Sequence, residues 1–174
     1  MTIVTERRLP ASDRSSIRAN ALADRLEAGA RALAAFVTGL TDAEWQTPIS
    51  HDGRTVGVVV HHVAAVYPIE VQLAAGVAAG NPVTGLTMDN IHEMNARHAR
   101  EFAMVTKEVA IDLLRRQSAE AAAAIRALSD EQLDRAATVS LYDDAPVTSQ
   151  FVLEDHAVRH SYHHLAAIRR ALRK

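Results

Sequence analysis

The sequence predicts an all-α protein built as a four-helix bundle, and three observations support this class. Aromatic residues make up only 4% of the 174 residues while alanine is abundant, a mixture that helices tolerate better than sheets do. Seven glycines and five prolines leave room for a few long elements. Four long segments, residues 17–40, 55–79, 88–128 and 149–172, have the length or the apolar spacing of helices, and four such helices form a bundle.

The first two predicted helices cover residues 17–40 and 55–79. In the first helix, leucine and phenylalanine recur at helical spacing until Gly39. The second helix is rich in valine, which favours strands, but its length and its alanines favour a buried helix. Between the two helices, TDAEW (41–45) matches a capping box. We expect Trp45, the last residue of this turn, to pack under the first loop.

The other two predicted helices cover residues 88–128 and 149–172. A single helix over 88–128 would be about 60 Å long and would overrun a small domain, so we expect a break or bend within it. ALSDEQL (127–133) nearly copies GLTDAEW (39–45). The copy indicates either two common capping turns or two related helical hairpins. A loop is expected from this second turn to the last helix, whose basic C-terminal residues complement the helix dipole.

Composition and charge exclude several functional classes. A net charge of −2 argues against a general nucleic-acid binder. The absence of cysteine excludes a disulfide, a thiolate nucleophile and a cysteine-ligated metal. The N-terminus lacks the apolar core of a signal peptide, and the apolar stretch 55–69 is too short to span a bilayer. We therefore expect a single cytoplasmic domain over 1–174, with a loose arm at 1–12 and no nucleic-acid or membrane partner.

Several polar side chains fall on the apolar faces of the predicted helices. His160 and His164 share one face of the last helix, and His62 lies near the middle of the apolar stripe of the second. Asn95 and His98 fall in the apolar stripe of the third helix. Imidazoles spaced i, i+4 lie one turn apart, which is the spacing of paired ligands in helical zinc sites. A third imidazole from a facing helix would complete three protein ligands and leave one position open.

More than one interpretation of these residues stays open at this point. A lone histidine such as His62 is more often a hydrogen-bonded core residue than a ligand, and a one-residue shift would exchange it for His61. Burying a polar side chain without a hydrogen-bond partner costs about 1–3 kcal/mol. Asn95 and His98 are therefore either a buried pair whose side chains hydrogen bond each other or groups that orient a substrate. His163 lies next to His160 and His164 in the sequence, but its side chain would have to bend inward to join them. Three histidines are left out of the predicted site: His51, His92 and His156.

Two segments of the sequence resemble the DinB/YfiT-like superfamily of metal-binding four-helix bundles. They are GLTDAEWQTPIS…GRTVGVVVHHVA in the first half and DHAVRHSYHHLAAIRRAL in the last helix. The resemblance covers nearly the whole chain and places His62, His160 and His164 at the three metal-ligand positions of the family. It implies an up-down-down-up topology, a divalent metal (usually zinc or nickel) and frequent homodimers.

The resemblance also implies a small-molecule substrate and an enzymatic activity. The leading expectation is a bacterial transferase or isomerase that uses a low-molecular-weight thiol such as mycothiol, bacillithiol or glutathione. The metal would lower the pKa of the thiol and so supply the nucleophile. The second candidate is a hydrolase with a metal-bound hydroxide. The third is a non-catalytic, stress-related metal-binding bundle, and the fourth is a plain bundle whose histidines only fill space.

Overall fold

The computed structural model describes residues 16–49 and 53–174. The expected arm at residues 1–12 lies outside these ranges. The described chain is mainly helical, so the all-α prediction is confirmed, with one small hairpin added. In chain order its elements are α1 (Ile17–Thr38), α2 (Asp42–Trp45), α3 (Val56–Ala78), α4 (Met88–Glu101), α5 (Lys107–Arg126), α6 (Asp130–Asp134), β1 (Ala136–Val139), β2 (Ala145–Thr148), α7 (Ser149–Leu153) and α8 (Arg159–Leu172).

The helices α1, α3, α5 and α8 form the bundle. Helix α1 packs against α5 and α8, and α3 packs against the same two helices, so α1 and α3 occupy opposite corners. Two helical hairpins would pair α1 with α3 and α5 with α8. The helices of each such pair are therefore not neighbours. The near-identical segments 39–45 and 127–133 are common capping turns, because each has a reciprocal capping box, in α2 and in α6.

Contacts between helix ends fix the directions of the helices. The Lys107 ammonium at the start of α5 donates to the carbonyl of Leu40 after α1, so α1 and α5 are antiparallel. The indole N–H of Trp45, before α3, donates to the carbonyl of Val105, before α5, over 3.0 Å. Helices α3 and α5 therefore run parallel.

The last helical segment returns to the direction of α1. The hydroxyl of Ser149, at the start of α7, donates to the carbonyl of Ala74 near the end of α3 over 2.9 Å. Arg18, at the start of α1, hydrogen bonds Gln150 of α7. Helices α7 and α8 are thus antiparallel to α3 and parallel to α1, and the expected up-down-down-up topology is confirmed.

The expected break in the third predicted helix is confirmed. Helix α4 ends at Glu101, and α5 begins at Lys107 after its cap Thr106. The apolar stripe of the third predicted helix therefore does not continue across both segments. Val109, in the first turn of α5, is 54% exposed. In the chain, α4 connects the parallel helices α3 and α5, and its residues are exposed or half-buried.

The segment between α6 and α7 is not the expected loop. Strands β1 and β2 pair antiparallel, with Ala136 opposite Thr148. The turn between them contains Asp143 and Asp144 in the left-handed region, with φ of 54° and 58°. The hydroxyl of Ser140 also accepts from the N–H of Leu86 and donates to its carbonyl. This hairpin is therefore tied to the connection that follows α3.

Helix α3 provides the centre of the core. With 23 residues, it is long and apolar enough to cross a membrane by length and composition alone. The expectation that this segment is too short to span a bilayer was therefore wrong. The bundle nevertheless buries 67% of the most apolar window of this helix. Burial of this kind is what the core helix of a bundle requires, and it accounts for the valine-rich sequence.

Trp45 has the packing role expected for it, because its side chain is only 4% exposed. Its ring lies against Gly57 in the first turn of α3, where an added Cβ would come within 2.6 Å of ring atoms. Glycine at this position therefore lets the rigid indole approach the helix backbone.

We predict that Gly57→Ala destabilises the protein by about 1–3 kcal/mol, because the clash with the buried ring outweighs the gain in helix propensity. Gly76→Ala is the matched control in the same helix, since nothing lies within 4 Å of its added Cβ. The control should be neutral or stabilising by up to about 1 kcal/mol. Urea denaturation measures both variants, and equal effects would contradict the assigned role of Trp45.

Candidate metal centre

Three imidazoles from two facing helices meet at one place in the bundle. His62 lies on α3, and His160 and His164 lie on α8. One ring nitrogen of each can be chosen so that all three lie within 4.8 Å of one another. His62 is 6% exposed, and the other two are half-buried. The structure thus brings together the three histidines that the sequence grouped.

A buried carboxylate orients one of these rings. Glu70, two turns after His62 on α3, has its Oε1 at 2.5 Å from Nδ1 of His160. This hydrogen bond requires a proton on Nδ1, so the lone pair of His160 is on Nε2. That atom lies 3.3 Å from Nε2 of His62. Nitrogens that share a tetrahedral zinc ion are separated by about 3.3 Å, given zinc–nitrogen bonds of about 2.0–2.1 Å, so the donor set fits a divalent ion.

The surroundings keep the third imidazole neutral. Burial first, and then the neighbouring His160, His62 and His163, lower the pKa of His164 to about 2. A neutral imidazole is the form that binds a metal. The ring of His164 packs edge-on to that of His62, with centroids 5.6 Å apart. His163 itself is exposed, although its ring lies beside that of His164.

The last helix is not a regular α-helix from end to end. Residues Glu154–Val158 form a π-helical turn between α7 and α8. A π turn adds a residue to one turn and shifts the faces on either side of it. His160 and His164 both lie after this turn, in the regular helix α8. On the same face of α8, Ile168 is buried, while Ala171 near the end of the helix is exposed.

The structure separates His61 from the three-histidine group. A one-residue shift would have exchanged His62 for His61, and His61 is also buried, with 4% of its surface exposed. Its Nδ1 lies 2.8 Å from Nε2 of His98 on α4, and its ring stacks on Phe102 at 3.9 Å. His61 and His98 therefore join α3 to α4, and His98 is directed at His61.

A cavity of about 400 Å³ opens beside the three-histidine group. His62, Glu70 and His160 line one end, and Asn95 lines the wall contributed by α4. The side-chain oxygen of Asn95 is buried and has no hydrogen-bond partner among residues 16–49 and 53–174. Apolar side chains form most of the remaining wall: Val66, Ile69, Leu73, Leu86, Met88, Ile91, Met94 and Leu141. A cavity of this size and lining fits a small organic molecule.

A second, smaller cavity of about 130 Å³ lies beside His160 and His164. Its lining is polar and consists of Asp155, His156, Arg159, His160, His163 and His164. His160 and His156 contribute to both cavities. The candidate metal centre is therefore bordered by both cavities.

Glu70 is the site residue that sequence reasoning missed. It is the one Asp, Glu, Lys or Arg in the sequence of α3, and it is 8% exposed. A charge in the middle of an otherwise apolar helix was the available signal. The spacing from His62 is eight residues, which does not by itself show that the carboxylate meets a histidine on another helix.

Fold and site together define a four-helix bundle with a candidate metal centre. The sequence pattern of the DinB superfamily matches residues 25–168. The chain belongs to the DinB superfamily, and the resemblance found in the sequence is confirmed.

Among solved structures, the chain is similar to YfiT from Bacillus subtilis, described as a probable metal-dependent hydrolase with an unusual four-helix bundle topology. The two share 22% sequence identity with a TM-score of 0.73, over 95% of this chain and 91% of that chain. This likeness supports the shared fold. The comparison with curated proteins found no match.

We predict that Glu70→Gln weakens zinc affinity about 10–100-fold. The amide can still accept the hydrogen bond from His160 but removes the charge that makes the imidazole a better donor to a metal. Competition with a chromophoric zinc chelator measures the affinity. Glu120→Gln, at an exposed position of α5, is the control and should bind like the wild type. Equal affinity of the two variants would show that Glu70 does not act on the site.

The half-buried imidazole of His98 makes the stability of the metal-free protein depend on pH. Burial, followed by His61 and Arg54, lowers the pKa of His98 from its ordinary value of 6.5 to about 4. Between these values the unfolded chain binds a proton that the folded protein does not, so stability falls as the pH decreases. The free energy of unfolding should therefore be lower at pH 5 than at pH 7.

Urea denaturation at pH 5 and pH 7 should show a smaller difference in the free energy of unfolding for His98→Gln than for the wild type. His92→Gln changes an exposed histidine of the same helix and should keep the wild-type difference. If the difference is unchanged in His98→Gln, the imidazole of His98 has the same pKa in the folded and the unfolded protein, which contradicts the prediction.

Proposed function

We propose that this chain is a metal-dependent enzyme that acts on a small molecule. The observation that carries the proposal is the convergence of three imidazoles at the end of a largely apolar cavity. In the proposal His62, His160 and His164 are the ligands. Three protein ligands leave a further position on the ion open for a reactant, which is the arrangement of catalytic rather than structural zinc sites.

The roles of the surrounding residues follow from their contacts. A bound divalent ion would supply Lewis acidity, which lowers the pKa of a thiol or water in the open position. Glu70 holds His160 in the tautomer whose Nε2 lone pair faces His62. The unpartnered oxygen of Asn95 offers a hydrogen-bond acceptor to a substrate in the cavity. His98 acts indirectly, by holding α4 against α3 through His61.

The two cavities favour a reaction with two reactants. The polar cavity suits the head of a low-molecular-weight thiol, and the apolar cavity suits an electrophilic acceptor. His160 lines both cavities, so sulfur and acceptor would meet at the centre. The chain contains no cysteine, so the sulfur would come from a cosubstrate. We therefore propose S-transfer from mycothiol, bacillithiol or glutathione as the leading activity.

Hydrolysis is the second candidate. It is favoured by the similarity in fold to YfiT, which is described as a probable metal-dependent hydrolase. In this case water takes the place of the thiol, and the apolar cavity holds the acyl part of the substrate. The same three histidines, Glu70 and Asn95 would serve both reactions.

The first experiment is elemental analysis of the untagged protein. We expect about one divalent ion per chain in the wild type and none in the His62→Ala/His160→Ala/His164→Ala variant, because the variant lacks the whole donor set. His92→Ala is the control and should keep the metal. Circular dichroism checks that the variant is folded. Equal metal content in the triple variant and the wild type would reject the proposed ligand set.

Two assays on the metal-loaded protein then separate the candidate activities. Transfer to monochlorobimane is measured with mycothiol, bacillithiol and glutathione in turn, and hydrolysis is measured with 4-nitrophenyl acetate. Thiol-dependent turnover that is lost in the triple variant supports S-transfer. Turnover of the ester without a thiol, lost in the same variant, supports hydrolysis. A metal-loaded wild type that is inactive in both assays favours a non-catalytic metal-binding bundle.

A further inference from the structure

A second polar cluster lies in the wall of the apolar cavity, outside the three-histidine group. It consists of Tyr142, at the end of the short turn after β1, and Asp155 and His156 in the π turn. The Tyr142 hydroxyl donates to Oδ2 of Asp155 over 2.8 Å. The oxygen of the same hydroxyl lies 2.9 Å from Nε2 of His156. All three residues line the cavity that also contains His62 and His160.

The hydrogen bonds of this cluster determine where the proton of His156 lies. A phenol has one proton, and Tyr142 donates it to Asp155, so Nε2 of His156 must be the donor in the second bond. Nδ1 of the neutral ring then carries the lone pair. No residue in the ranges 16–49 and 53–174 hydrogen bonds this atom. Nδ1 is therefore the nitrogen of His156 that can accept a proton.

The rest of the cluster holds His156 in position. The carboxylate of Asp155 acts on the imidazole through Tyr142, and Arg159 holds the other carboxylate oxygen at 3.5 Å. Burial and the neighbouring Asp155 raise the pKa of Tyr142. The phenol thus stays neutral and continues to donate. The half-buried carboxylate of Asp155 therefore orients the imidazole indirectly, through the phenol, and an oriented imidazole can exchange protons.

The backbone supports the same interpretation at two points. Asp155 and His156 lie within the π turn, and π turns inside α-helices are frequently found at functional sites. Asp143 and Asp144, next to Tyr142, both adopt left-handed backbone angles, which aspartate accepts in tight hairpin turns, and this turn presents Tyr142 to the cavity.

We propose that His156 is the proton-transferring catalytic residue of this site and that Tyr142 and Asp155 are its positioning residues. The proposal rests on the proposed function, because it needs a nucleophile at the centre. His156 lines both cavities, so it lies between the two reactants.

The proposed step moves one proton from the nucleophile to His156 and then to the leaving group. Nδ1 of His156 takes the proton from the S–H or O–H group of the nucleophile. That bond breaks, an N–H bond forms, and the electron pair stays on sulfur or oxygen. The nucleophile then forms a bond to the acceptor, and the leaving group departs with its electron pair. The leaving group takes the proton from Nδ1, which restores the neutral imidazole.

The first test does not depend on activity. Long-range ¹H–¹⁵N spectra of the zinc-loaded protein at pH 8 report which nitrogen of each imidazole carries the proton. We expect a single tautomer of His156, protonated on Nε2, with a slowly exchanging Nε2–H. In Tyr142→Phe, where the acceptor of that bond is removed, the Nε2–H should exchange rapidly. A proton on Nδ1 of His156 in the wild type would overturn the proposal, whether or not the protein turns over a substrate.

The second test uses the probe, bimane transfer or ester hydrolysis, that the wild type turns over. We expect His156→Gln to keep one metal per chain and to lower kcat about 10²–10⁴-fold, the usual contribution of a general acid–base residue, with KM changed only a few-fold. Added imidazole should restore part of the rate in His156→Gly. His92→Gln, with its exposed histidine, is the control.

The outcomes distinguish this proposal from the proposed function. A metal-loaded, active wild type with unchanged kcat in His156→Gln would overturn the role of His156 alone. Loss of kcat in His156→Gln together with loss of metal would overturn it as well, because His156 would then support the metal site. A wild type that holds no metal and turns over neither probe overturns the proposed function, and the role of His156 falls with it.

Discussion

The burial of α3 is the constraint on which the site depends. This helix is enclosed by the bundle, yet its sequence places His62 and Glu70 in the interior. A buried imidazole and a buried carboxylate are costly unless each finds a partner. Helix α8 supplies that partner in His160, whose two ring nitrogens meet Glu70 on one side and His62 on the other. The phenol of Tyr67 and the hydroxyl of Ser161, 2.5 Å apart, hold the two helices in the register that this pairing requires.

The direction of the helices explains why a cavity lies beside the buried histidines. Because α3 and α5 are parallel, the chain must return along the whole bundle between them, as every parallel pair of elements requires. Helix α4 makes this return, and it is joined to α3 through the His61–His98 hydrogen bond and Phe102. It lies over α3 as a partly exposed layer rather than as a fifth core helix. The apolar cavity is enclosed between this layer and the hairpin.

The π turn is where the backbone departs from regular structure, and it lies next to the candidate metal centre. Without it, the last helix would run from Ser149 to Leu172 with one continuous face. With it, the segment before the turn packs at the end of α3, while His160 and His164 still face His62. The same turn presents Asp155 and His156 to Tyr142 of the hairpin. One local irregularity thus serves both the packing of the helix and the polar wall of the cavity.

The sequence by itself determined the four-helix class, the break in the third segment, both capping turns and the grouping of His62, His160 and His164. These features depend on local patterns, namely apolar periodicity, cap residues and an i, i+4 spacing, together with a family resemblance. The tertiary structure alone decided the pairing of Glu70 with His160, the separation of His61 from the group, and the contact of His156 with Tyr142. Each of these depends on the angle at which two distant elements meet. A π turn or a crossing helix changes that angle without leaving a regular signal in the sequence, so only the packed structure shows which polar side chains face one another.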